Sequence, residues 1–214
     1  MSLIASLCRQ IVAHLTRLGI PTAQDLLPGI PDDRIRELTQ RLPFVLPQSV
    51  IDLYRWSEGV PVSHETCNTF FPGYGFDSFQ YMVETYHELS TASDFPRFHC
   101  GDMQWFPIFR SGGTDYYGVC CGDTTRVDGN IVYDDNEGPH RDCVTQPPIE
   151  FVSLEAMLKT LLCAFETGVY YINGQGQLAV GVCSYNDQGQ LVDVDLSRFN
   201  EVARRFNPGL KRYE

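Results

Sequence analysis

The chain has 214 residues, 43% of them hydrophobic and 20% charged, enough to bury about 70–75% of the surface that its unfolded form exposes. No stretch approaches the roughly 18 consecutive apolar residues of a membrane span. Acids outnumber bases 27 to 16 for a formal charge of -11, which argues against nucleic acid as a ligand and for a basic partner.

Ile4, Leu7, Ile11, Leu15 and Leu18 recur at steps of three and four before Gly19 and Pro21, the pattern of an amphipathic helix with its stop. Arg9, Gln10, His14 and Arg17 interrupt the same stretch, so it lacks the unbroken apolar core of a secretory signal, and a cytoplasmic location is expected. Pro31, followed by Asp32 and Asp33, predicts a second helix with Ile35, Leu38 and Leu42 as its inner stripe. Pro47 opens a third, with Val50, Leu53 and Tyr54 on one face and Gly59 where a left-handed C-cap belongs. Three helices are therefore expected before any strand. Residues 69 to 76 mix aromatics with Pro72, Gly73 and Gly75 and predict an irregular strand or loop. Ser78 can cap a helix carried by Phe79, Met82, Val83 and Tyr86, and residues 90 to 103 read as loop.

Three runs rich in aromatic and β-branched residues follow, Trp105 to Phe109, Tyr116 to Cys121 and Ile131 to Tyr133, which predict a meander. Gly112-Gly113 and Asp128-Gly129 offer the positive φ that tight turns use. Pro107 has no backbone donor, so it requires an edge, a bulge or a strand start. Ser153 caps a helix built on Leu154, Met157, Leu158, Leu161, Leu162 and Phe165 and ended by Gly168. Two similar turns, Asn173 to Leu178 and Asn186 to Leu191, predict hairpins at the edge of the sheet. Ser197 starts a last helix through Phe199, Val202, Ala203 and Phe206, and Asn207-Pro208-Gly209 stops it. The sum is an α+β fold with a central, mostly antiparallel sheet, a meander plus C-terminal hairpin strands, flanked by helices.

His64-x-x-Cys67 and His140-x-x-Cys143 together match the N2S2 set of tetrahedral zinc, but they lie far apart, and the eight cysteines form no Cys-x-x-Cys. No metal or other cofactor is expected, and the thiols read as reduced. His99 and Cys100, adjacent on an extended segment, point to opposite faces and make a poor nucleophile pair. Trp105 reads as a core anchor. Residues 115 to 142 hold seven acids against Arg126 and Arg141, whereas 198 to 214 hold five bases against Glu201 and Glu214. Turns beside a rigid sheet present charge well, so Asp115, Asp123, Asp128, Asp134, Asp135 and Glu137 are the candidate partner-binding residues; no catalytic set is assigned.

Several stretches together resemble the SUKH superfamily, which includes bacterial toxin-immunity proteins and a fungal regulator of cell-wall synthesis. They are Leu46-Pro47 opening a helix that ends near Gly59, Ser78 to Leu89, and Trp105-Phe-Pro-Ile-Phe109 with Gly112, Gly113 and Asp115. Ser153-Leu-Glu155 and Asn207-Pro-Gly209 complete the pattern, which extends over roughly residues 40 to 210. The resemblance implies an α+β domain that binds other proteins and carries no shared catalytic apparatus. Residues 1 to 214 are expected to form one such domain, with residues 1 to 42 as an N-terminal helical extension. The first functional expectation is an immunity protein that binds and neutralises a basic toxin domain. A regulatory adaptor on the same fold comes second, and a hydrolase using the acidic loop third. Neither nucleic acid nor membrane is an expected partner.

Overall fold

The computed structural model describes residues 2–61, 70–91, 99–100, 103–122, 129–135, 148–185 and 191–213. Helix α1 (Leu3–Arg17) begins at Ser2, whose hydroxyl accepts from the Ala5 N–H at 3.2 Å, and gives way to Gly19 at φ +75°. A short helix α2 (Thr22–Asp25) and strand β1 (Leu27–Pro28) come next, so a strand precedes the third expected helix. Helices α3 (Asp32–Thr39) and α4 (Gln48–Trp56) start directly after Pro31 and Pro47, as the fixed proline φ favours. Gly59 does have positive φ, but it does not cap α4. It closes strand β2 (Ser57–Gly59), which pairs with β1, and a Cβ there would lie 2.5 Å from the Asp77 carbonyl oxygen. Close backbone approach is what this glycine permits.

Strand β3 (Tyr74–Gly75) is followed by α5 (Phe79–Thr91), β4 (His99–Cys100), β5 (Met103–Ser111), β6 (Tyr116–Cys121), β7 (Ile131–Asp134) and β8 (Ile149–Phe151). Pairing is antiparallel in the order β3-β5-β6-β7-β8, with β4 also on β5. The expected meander is its centre. The register slips between Pro107 and Phe109, which places the donorless proline at a bulge. The first turn works differently from expectation, since neither Gly112 nor Gly113 takes positive φ. The Ser111 hydroxyl accepts from the N–H groups of Gly113 and Asp115, each at 3.2 Å, and this side chain shapes the turn.

Helix α6 (Leu154–Glu166) is capped by the Ser153 hydroxyl, which accepts from the Ala156 N–H at 3.1 Å. Strands β9 (Tyr170–Ile172) and β10 (Leu178–Val180), then β11 (Val182–Tyr185) and β12 (Leu191–Asp195), form two hairpins. Each is a ladder of its own and not an edge of the central sheet. The first packs on helices instead: the Tyr170 ring meets Phe165 of α6 at 4.9 Å and stacks on Phe199 at 5.9 Å. Helix α7 (Ser197–Phe206) starts at the expected serine, and Asp195 just ahead of it accepts from the Ser197 N–H at 2.8 Å. A 3-10 turn, Lys211–Tyr213, follows.

One hydrophobic cluster runs from Ile4 of α1 through the sheet to Val202 of α7. Its centre is aromatic: Tyr54 stacks on Phe79 at 4.3 Å, and Phe70 stacks on Phe109 at 5.4 Å. Trp105, 2% exposed, lies across Gly118, where a Cβ would stand 2.8 Å from Trp105 Cδ1.

Candidate functional site

Antiparallel register sets Tyr117 of β6 opposite Tyr133 of β7, with ring centroids 5.2 Å apart. Tyr74 from β3 packs edge-on against Tyr117 at 4.8 Å, and the Tyr74 and Tyr133 hydroxyls are hydrogen-bonded. The half-buried Tyr74 and Tyr117 rings, against which Tyr133 packs, form one wall of a cavity of about 160 Å³ that reaches Phe151, Tyr170, Phe199, Glu150, Arg212 and Tyr213.

Glu150 sits at the middle residue of β8 and is 2% exposed. Its partner Arg212, with 51% of its side chain exposed, reaches it from the 3-10 turn through Nη1. Arg204 and Asn207 hold that turn in place. Arg204 Nε donates to the Tyr213 carbonyl. Buried Asn207 donates to Thr160 Oγ1 at 3.2 Å and accepts from the Val152 N–H at 3.1 Å, tying the end of α7 to α6 and to the residue following β8.

Burial pushes the Glu150 carboxyl up to about 7, against the opposing pull of the Arg212 charge and of hydrogen bonds from Tyr213 and Arg212. Desolvation therefore outweighs the ion pair. The Tyr117 hydroxyl is driven well above its ordinary range by burial first and by Glu150 second. At Tyr213, burial and then Glu150 raise the hydroxyl, with the lowering effect of Arg212 the smaller charge effect. Asp115 and Asp135 add to the upward pull on Tyr133, which is led by burial. The field along this wall is negative.

A pH dependence follows. An acid raised in the folded state binds its proton there when the unfolded chain has already lost it, so its ionisation lowers stability as pH rises from the ordinary 4.5 through 7. The full cost is present above pH 7 and amounts to about 3 kcal/mol for this interval. His14, held below its ordinary value by burial, titrates with the opposite sign, so wild type must be compared with Glu150→Gln at each pH. Urea denaturation at pH 5 and pH 8 is expected to show the wild type losing about 2–3 kcal/mol relative to the variant. Parallel profiles would refute the assignment.

Of the expected partner-binding residues, Asp115 and Asp135 are half-buried at the end of the tyrosine wall. Asp134 is 3% exposed, because it is paired in register with Tyr116 inside β7, and it is not presented at a turn. Asp123, Asp128 and Glu137 lie outside the described residues, as do His64, Cys67, His140 and Cys143. Among the described residues, no group of three or more His, Cys, Asp or Glu side chains is arranged to hold a metal ion, and no helix is long and apolar enough to cross a membrane. Sequence reasoning missed Glu150, Arg212 and Tyr213. The available signal was a lone acid inside the apolar run Ile149-Glu150-Phe151-Val152.

A model of the SMI1 / KNR4 family (SUKH-1) matches residues 29–147. The chain belongs to this family. The SMI1 / KNR4 match covers α3 to β7, including Tyr74, Asp115, Tyr117 and Tyr133. It starts before the expected residue 40 and ends before Glu150, so the cavity joins a wall from the family segment to side chains that follow it. No curated protein matches the chain.

Proposed function

We propose that this SMI1 / KNR4 family member is a non-enzymatic protein-binding domain, and that its role is to bind and neutralise a basic toxin domain. Membership of the family over residues 29–147 carries the reading, since the superfamily resemblance implies protein binding. The acid surplus supports a basic partner: the charge is -11, and Asp115, Asp135 and Glu150 all act on the same tyrosine wall. A nuclease toxin has a basic groove for phosphate, and a negatively charged face occludes such a groove by electrostatic complementarity. The cell compartment in which this happens is proposed to be the cytoplasm.

The test begins with capture of the partner from native lysate and its expression alone in a host that lacks this chain. Growth arrest relieved by co-expression of the chain supports neutralisation. A partner that binds without arresting growth favours the regulatory adaptor, and hydrolysis of that partner by the chain would overturn the non-enzymatic reading.

A further inference from the structure

We propose that the cavity between Tyr74, Tyr117, Phe199 and Glu150 is an anchor pocket for an arginine side chain of the protein partner. The inference rests on the protein-binding reading and adds the chemistry of the contact. A space of about 160 Å³ suits one side chain and falls below the roughly 300–1,000 Å³ of pockets for whole small ligands. Its walls are aromatic. Tyr74 and Tyr117 meet at 4.8 Å and 69°, while Tyr170 and Phe199 stack at 5.9 Å. Ring faces attract a guanidinium, and attraction strengthens where water is displaced. Glu150 gives the cavity a buried acceptor.

The site already handles this group, because Arg212 lines the cavity and pairs with Glu150. A carboxylate offers about four lone-pair sites, and Arg212 and Tyr213 occupy part of that capacity. With half of its side chain exposed, Arg212 can also turn outward to water while the incoming group takes its place. An anion is disfavoured there, since it would face the Glu150 carboxylate. Asp115 and Asp135, beside Tyr133, extend the same negative surface to the partner's neighbouring bases. The groups facing Glu150 are Arg212, Tyr213, Tyr117 and Tyr133. The tyrosine hydroxyls stay neutral near pH 7, so only the carboxylate changes charge.

The probe is N-acetyl-arginine amide, titrated into the full chain and followed by tyrosine ring NMR at pH 8 and pH 6. Saturable shifts of the Tyr74 and Tyr117 rings are expected, tighter at pH 8 because Glu150 is then ionised. Glu150→Gln is expected to weaken binding at least about tenfold. Tyr74→Leu keeps the carboxylate and removes one ring wall, and it should weaken binding severalfold; it serves as the second test should the first variant fold poorly. Equal binding of N-acetyl-leucine amide, or preferential binding of N-acetyl-glutamate amide through Arg212, would overturn the proposal. Binding of methylguanidinium without the arginine amide would assign the cavity to a free small cation and likewise overturn it. If the arginine probe fails while the captured partner still associates with the chain, the pocket is refuted and the protein-binding reading stands.

Discussion

Trp105→Ala is expected to cost about 3–5 kcal/mol of folding free energy, the range for deleting a buried tryptophan. The ring is 2% exposed and lies over Gly118, so close that a Cβ on the neighbouring strand would stand 2.8 Å from it. Truncation leaves a gap on the central strand pair β5–β6, where Trp105 stands in register with Cys120. Both strands are paired on their other sides, so the backbone has little room to close over the gap. For a chain of this size the loss corresponds to roughly 6–20 °C in melting temperature. Calorimetry checks it. An unchanged melting temperature with lost partner binding would mean that the ring belongs to a surface platform.

Arg110→Met is expected to cost a similar amount, about 3–5 kcal/mol, through charge and not volume. Arg110 Nε lies 2.6 Å from Asp77 Oδ2, and Asp77 is 1% exposed. Methionine approximates the arginine stem, which retains packing near Tyr81, whose ring centre is 5.3 Å from the guanidinium carbon. What it removes is the cation that pairs with that carboxylate among the described residues, leaving a buried charge uncompensated. Combining Arg110→Met with Asp77→Asn removes both charges and should recover most of the stability. Equal losses in the single and double variants, measured by urea denaturation, would show that the pair's charge is not what sustains the site.

Local signals in the chain were readable where one residue determines the geometry. The stripe of α1 from Ile4 to Leu15 and the Ser153 cap of α6 stand where the sequence places them, and Pro107 takes the bulge, one of the three positions open to it. Glycine was harder. Gly59 has the expected backbone angle but uses it to let the Asp77 backbone approach, a contact between segments that spacing does not encode. At Gly112-Gly113 the turn is shaped by the hydroxyl of Ser111, which competes successfully for the free amides. The candidate site was the least legible. Glu150 looks like the polar member of a short strand, and the residue that compensates it, Arg212, arrives from 62 positions away. Asp134 misled for a related reason: an acid at the end of a run reads as turn, yet pairing with β6 continues through it.

A basic partner attracted to the tyrosine wall is tested most directly by stopped-flow association of the captured, purified partner with wild type and with Asp115→Asn combined with Asp135→Asn. Asp134 is left intact because its burial would confuse charge with folding, and equal melting curves are required before the comparison. Attraction over a Debye length of about 8 Å at physiological salt speeds encounter, so the wild-type association rate should fall as salt rises. The variant should associate more slowly with a shallower salt slope, while dissociation changes little. An unchanged rate and an unchanged slope would contradict docking at this wall and place the partner on another face of the molecule.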